Sequence, residues 1–260
     1  MTGSSSGIGK ELLKRLLEFD VKIIACSIDS NNTDIVDDRV VTRNCDLSKK
    51  TEVERLFDFA KQELGTIDIL FANAGFAYYE KIETPNYEHI QRIYNTNVLA
   101  PIYMSELMAD LNKGREYKVV ITCSAMGKLP IPGYALYSST KAALDSFFTA
   151  YRYELKNEKT VCLVYPIATK TNFFNMAGKN TPELFPVQRA ESVAKSIIEG
   201  VLKDKASVYP SKIFVIINLI LNRVFPFINY CYVLYAKKKF GVWIRQNSHC
   251  RHHQTERTTP

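Results

Sequence analysis

Five short runs constrain the fold of this chain more than any other feature. VKIIACS (21–27), RVVTRNC (39–45), IDILFA (67–72), KVVITCS (118–124) and TVCLVYP (160–166) are rich in β-branched or aromatic residues and apolar on both parities. A strand with one wet face alternates, whereas a strand buried on both faces does not. Between the runs lie helical patterns over 10–19, 49–64, 87–111, 135–157 and 187–202, the first with Leu12, Leu13, Leu16 and Leu17 on one stripe. Strand–helix alternation at this spacing predicts βαβ units, hence an α/β domain with a parallel sheet covered by helices on both faces. The 260 residues suit one domain with a sizeable core, and 46% hydrophobic residues exclude wholesale disorder.

A glycine loop precedes all of this. Thr2-Gly3-Ser4-Ser5-Ser6-Gly7-Ile8-Gly9 leads straight into the first amphipathic helix. Glycines permit the tight turn and let backbone N–H groups approach a pyrophosphate at the positive end of a helix. Cys45-Asp46-Leu47-Ser48 follows the second run, and Ala72-Asn73-Ala74-Gly75 ends the third. Tyr137-Ser138-Ser139-Thr140-Lys141 opens a helix, with Ser124 thirteen residues ahead of the tyrosine. Tyr137 and Lys141, four apart, share one helix face. A nearby ammonium and an oxidised nicotinamide would favour the phenolate and lower a pKa that is ordinarily near 10.

Together these stretches resemble the short-chain dehydrogenase/reductase family, through its TGxxxGIG loop, NAG motif and Ser…YxxxK set, over residues 1–210. The resemblance implies a Rossmann-like doubly wound sheet and an NAD(P)-dependent oxidoreductase. It makes Tyr137 the general acid/base, Lys141 its electrostatic partner and Ser124 the donor to the substrate oxygen. Asn97 matches the family's helix asparagine, which holds a relay water, with Asn95 as a competitor two residues away. Gly3, Ser5, Ser6, Gly7 and Ile8 would cradle the dinucleotide. Asp46 and Leu47 would meet the adenine, although Asp46 also reads as a helix N-terminal acid. Asn73, Ala74 and Gly75 would brace the sheet beside the cofactor, and Pro166 and Thr171 would flank the nicotinamide. One departure stands out: Ile167 replaces the family's glycine after Pro166, and a β-branched residue is strained at positive φ, which puts Thr171 in question. At the end of the second strand Ser27 and Ile28 stand where an acid would bind the ribose of NAD or an arginine the phosphate of NADP, with Asp29 beyond. The missing acid favours NADP over NAD.

In this fold the strand feeding the glycine loop lies at the centre of the sheet, yet Met1 directly precedes Thr2. The expectation is a missing first central strand, with ladder partners lost on two buried strands at roughly 1–3 kcal/mol per unsatisfied group, against a typical stability of about 5–15 kcal/mol. A true start upstream of the loop is expected, with tighter cofactor binding once a strand is restored.

The tail has another character. From residue 203 onward there are ten Lys/Arg and two acids; removing these from totals of 34 and 27 leaves 24 bases and 25 acids. Basic charge confined to a tail does not suit a nucleic-acid-binding face. Residues 213–236 are mostly apolar and aromatic, followed by Lys237-Lys238-Lys239, with Arg223 and Pro226 near the middle of the apolar stretch. Two readings stay open: interfacial helices giving peripheral membrane contact through 213–239, or helices over the pocket or a dimer surface. The expected division is 1–210 catalytic domain, 211–240 apolar helical extension and 241–260 disordered basic tail. A greasy lid implies a lipophilic substrate such as a steroid, retinoid, sphingoid or fatty carbonyl. The alternative is a catalytically weak nucleotide-binding or membrane-associated scaffold protein. Scattered cysteines and the lack of a signal peptide suggest the cytoplasm, at the cytosolic face of a membrane if the tail binds lipid. The resemblance implies a homodimer through 87–111 and 135–157. His249-Cys250-Arg251-His252-His253 is read as part of the tail, with no metal assigned.

Overall fold

The computed structural model describes residues 1–29, 34–216 and 227–255, without the side chains of 228, 229 and 247–255. The strands are β1 (Ile23–Ser27), β2 (Val40–Asn44), β3 (Ile69–Ala72), β4 (Lys118–Thr122) and β5 (Val161–Val164), joined by a short strand Ser207–Val208. All pair in parallel: β1 with β2, and β3–β4–β5 with Ser207–Val208 in that order. The double apolar parity has a direct cause in the packing. Leu70, Ala72, Val119, Ile121, Val161 and Leu163 point to one face, into a core with Val53, Met104, Leu144 and Phe148. Phe71, Val120, Cys162 and Val164 point to the other, against Leu12, Val193 and Ile197. Helices α2 (Lys50–Leu64), α4 (Ala100–Leu111) and α5 (Ala135–Tyr151) thus cover one face, and α1 (Gly7–Leu16) with the helix Ala190–Leu202 the other.

The expected 87–111 helix is interrupted. A regular α3 (Tyr87–Tyr94) passes through one π-helical turn, Asn95–Leu99, before α4 begins. Such a turn re-aims side chains and is frequent at functional sites.

The gap in the central sheet is visible. Three residues, Met1, Thr2 and Ser4, bridge β1 and β3. The Met1 ammonium donates to the Ile24 carbonyl at 2.6 Å, and the Cys26 N–H to the Met1 carbonyl at 2.9 Å. The Thr2 N–H reaches the Phe71 carbonyl at 2.9 Å, and the Ser4 N–H the Cys26 carbonyl at 3.2 Å. Burial lowers the pKa of the Met1 ammonium. Ahead of this stub the two strands enclose a slot of about 390 Å³, lined by Leu16, Ile24, Phe57, Leu64, Ile69 and Met104 among others. Ile69 is 40% exposed there, unlike its buried neighbours Leu70 and Phe71.

The C-terminal segment departs from expectation. Its helix Phe227–Thr255 runs through the part of 241–260 expected to be disordered. Ala236, Phe240 and Trp243 pack into an aromatic cluster around Tyr79, and this apolar face accounts for the helix continuing past Lys239. The Trp243 indole donates to the Lys179 carbonyl at 2.9 Å and the Tyr232 hydroxyl to the Phe185 carbonyl at 3.2 Å. Arg223 and Pro226 lie outside the described residues. No helix among the described residues is long and apolar enough to cross a membrane.

An added strand tests the slot. About five β-branched residues placed ahead of Met1 are expected to raise the thermal midpoint by roughly 5–10 °C and to tighten dinucleotide binding. Unchanged values for both would show that the slot accepts no strand.

Candidate active site

A cavity of about 830 Å³ opens at the C-terminal ends of the strands, where β1 delivers Ser27, β3 Asn73, β4 Ser124 and β5 Pro166. Ligands of open parallel sheets bind at this edge because the loops diverge there. Every site residue expected from sequence lines the cavity except Asn97.

The glycine loop forms one end. Gly7 has φ +54 and lies against Thr171, and a Cβ on Gly9 would land on the Gly3 carbonyl, so α1 can start this close to the loop only with glycine. Thr2 holds the loop in place. Its hydroxyl accepts from the Asn73 and Ala74 N–H groups at 3.1 and 3.0 Å, while the Asn73 amide donates to the Gly3 carbonyl at 3.3 Å and its oxygen accepts from Thr122 at 3.2 Å. The loop is therefore tied to both β3 and β4. Thr2 and Gly9 carry this geometry, although the sequence reading gave neither a site role.

The adenine side is more mixed. Asp46 accepts from the Ser48 N–H and hydroxyl at 3.0 and 2.7 Å and pairs with Lys49 at 3.5 Å. Burial raises its carboxyl, but the Ser48 hydrogen bonds and Lys49 together outweigh it and hold the group below its ordinary value. Its side chain thus ties down the turn that precedes α2. Asn95 donates to the Ser48 carbonyl at 3.1 Å, which removes it as a competitor for the Asn97 position. Ser27, at the end of β1, is buried with a hydroxyl that lacks a protein partner, and Asp29 is not part of the lining.

At the other side stand the reactive groups. Ser124 caps a short turn by accepting from the Met126 N–H at 3.1 Å, and its hydroxyl lies near enough to the Tyr137 phenol to favour proton loss from it. Lys141 is 3% exposed; its Nζ donates to the Thr122 carbonyl at 2.8 Å and sits 5.6 Å from the centroid of the Tyr137 ring. Without a nicotinamide, burial sets the electrostatics of this pair. Burial pushes the Tyr137 phenol up to about 12, with Ser124 pulling the other way, and pushes the Lys141 ammonium down to about 8. In the protein by itself, desolvation outweighs the attraction that was expected to lower the phenol.

Asn97 is fully buried. Its amide donates to the Phe76 carbonyl at 2.8 Å and to Thr140 at 3.2 Å, and its oxygen accepts from the Phe76 N–H at 3.1 Å. Its side chain thus clamps the loop that leaves Gly75. Ile167 causes no strain: among the described residues only Asn180 and Asp204 have positive φ without being glycine, and Thr171 lies against Gly7.

The glycine cradle, the unpartnered Ser27 hydroxyl and the size of the cavity fit a dinucleotide. A parallel doubly wound sheet with this cradle beside a buried Ser–Tyr–Lys set is the arrangement of a dinucleotide-dependent oxidoreductase. The family model described as short chain dehydrogenase matches residues 1–182, and the chain belongs to that family of NAD(P)-dependent oxidoreductases. It is 30% identical over 189 residues to 17-beta-hydroxysteroid dehydrogenase 13 of Rattus norvegicus, covering 70% of this chain and 61% of that protein. It is 29% identical over 238 residues to 11-beta-hydroxysteroid dehydrogenase 1A of Arabidopsis thaliana, covering 79% and 65%. Among solved structures, a short-chain dehydrogenase from Sphingobium yanoikuyae in complex with NADPH matches with TM-score 0.73 at 22% identity, covering 82% of this chain and 87% of that one. One from Burkholderia phymatum in complex with NAD also reaches 0.73, at 18% identity and 83% and 89% coverage.

The depressed lysine has a stability consequence. With its folded value near 8 against the usual 10.5, the cost of burying the ammonium is fully present below pH 8 and is relieved as pH rises toward 10.5. The stability of the parent relative to Lys141→Met is expected to rise by about 3 kcal/mol between pH 7 and 10.5, measured by urea unfolding at both ends. A flat difference would place the lysine in solvent.

Proposed function

We propose that this chain transfers a hydride between NADP(H), in preference to NAD(H), and the carbonyl or hydroxyl carbon of a lipophilic substrate such as a steroid, retinoid, sphingoid or fatty carbonyl. The observation that carries this reading is the place of the Tyr137 phenol. It lies between the glycine cradle and an apolar half of the cavity lined by Met126, Ile131, Phe173, Phe174, Leu184 and Tyr232. Aromatic walls of this kind favour broad apolar bodies. The names of the rat and Arabidopsis relatives point to the same class.

When bound, the nicotinamide supplies or accepts the hydride. In the reducing direction Tyr137 Oη donates its proton to the substrate oxygen, while Ser124 Oγ donates a hydrogen bond to the same oxygen as charge develops. Lys141, fixed by Thr122, keeps a positive charge beside the phenol below pH 8 and so favours proton loss from it. Asn97 acts as a positioning residue by holding Phe76 and Thr140. The preference for NADP rests on Ser27 and Ile28 at the end of β1, where no carboxylate stands to repel a phosphate. The second reading, a nucleotide-binding scaffold of low turnover, is favoured by one observation, the burial that raises the Tyr137 phenol and lowers the Lys141 ammonium.

Tyr137→Phe separates the two. It is expected to lower kcat for a panel of apolar ketones and aldehydes by roughly a thousandfold with the dinucleotide Kd unchanged; a variant as active as the parent would overturn the oxidoreductase assignment to this tyrosine.

Peripheral membrane contact is supported by the exposed Ile213, Ile216, Phe227 and Tyr230 together with the exposed Lys237, Lys238 and Lys239. Flotation with anionic vesicles is expected to carry the parent and to lose a Lys237→Glu, Lys238→Glu, Lys239→Glu triple variant. Equal flotation, or none by either, would leave the apolar surface to a second copy of the chain or to crossing segments of its own.

A further inference from the structure

The cavity carries a cationic group that its apolar walls do not explain. Three charged side chains line it: Asp46, Lys141 and Arg92. Asp46 is held by Ser48 and Lys49, and Lys141 by the Thr122 carbonyl. Arg92, on the exposed side of α3, has no carboxylate within 4 Å among the described residues. Its guanidinium lies 5.8 Å from the Phe76 ring centroid, and its charge reaches the Tyr78 phenol. Glu80, which also acts on that phenol, is taken by His89 at 2.9 Å, and His89 stacks on Tyr78. The carboxylate that shares this corner is therefore engaged elsewhere. The next residue, Ile93, is buried in the aromatic cluster, which fixes α3 and with it the starting point of the Arg92 side chain.

We infer that Arg92 is a specificity-determining residue at the substrate mouth, and that the preferred substrate is amphipathic: an apolar carbonyl compound or alcohol that also carries a carboxylate. This rests on the proposed oxidoreductase reading and deepens it. The apolar body would lie along Phe173, Phe174 and Tyr232, and the carboxylate would meet the planar fork of a guanidinium already laid over an aromatic ring. Such a contact stays partly hydrated, so its effect is selective rather than large.

A matched pair of probes tests it: a long-chain ω-oxo fatty acid and its methyl ester, which share the reacting aldehyde and differ in one charge. The parent is expected to show a KM for the acid roughly three- to tenfold below that for the ester. Arg92→Gln is expected to remove that difference by raising KM for the acid alone, with kcat, the ester KM, the dinucleotide Kd and the thermal midpoint unchanged. Arg92→Lys is expected to recover part of it. Equal KM values for acid and ester in the parent would overturn the inference while leaving the oxidoreductase reading intact. A loss of dinucleotide affinity in Arg92→Gln would also overturn it, by assigning the arginine to a cofactor phosphate. If neither probe is turned over, calorimetric titration of both into the dinucleotide-loaded protein still decides: tighter binding of the acid that is lost in Arg92→Gln supports the inference, and equal binding overturns it.

Discussion

The hydrogen bonds of Met1 to Ser4 hold the site together. They join β1 to β3 across a division in the sheet, and Thr2 extends the join to Asn73 and Ala74. The glycine loop therefore takes its position from two strands that do not pair with each other. Cooperative burial alone would not fix a loop of this composition, because serine and glycine side chains contribute little apolar area. Its rigidity comes from directed bonds that cost most when unmade in a buried setting. The buried Met1 ammonium is the least favourable member of this group, with burial opposing its charge and the Ile24 carbonyl offsetting part of that cost.

Downstream, the same logic governs the reactive set. Tyr137 and Lys141 are both buried, and desolvation drives their pKa values apart from the useful direction: the phenol resists losing a proton and the ammonium resists keeping one. Ser124 and the Thr122 carbonyl partly counter these shifts. A charge added nearby would act strongly in such a setting, because the dielectric screening of water is absent. A phenol held high by burial is a competent proton donor over the whole neutral range.

Much of this was legible in the sequence, and the limits have physical causes. The strands were readable because burial on both faces suppresses alternation, and the site motifs because their spacing follows from strand ends that share one edge. Asn97 and Asn95 could not be told apart from a helical pattern, since a π turn, which shifts side-chain directions, decides between them. The role of Asp46 turned on a local Ser48 contact that competes with any ligand contact. Thr2 escaped notice because its partners lie seventy residues away. The helix past residue 241 was missed because a basic, histidine-rich composition signals a solvated tail, whereas Phe240 and Trp243 dock against Tyr79, far off in sequence. Ile167 looked like a strained replacement only on the assumption of positive φ, which the backbone does not adopt.

The two halves of the cavity are built on different principles. The dinucleotide half is made of backbone turns fixed by the sheet, so its sequence requirements are severe and local. The substrate half is assembled from side chains of α3, the 171–187 loop and the C-terminal helix, segments brought together only by an aromatic cluster. Such walls tolerate exchange of one apolar residue for another of similar volume, so they drift without loss of fold. A charged residue on that wall is a different matter. Placed beside Phe76 without a carboxylate partner, Arg92 gains nothing from core packing and contributes to selection only when a ligand answers its charge.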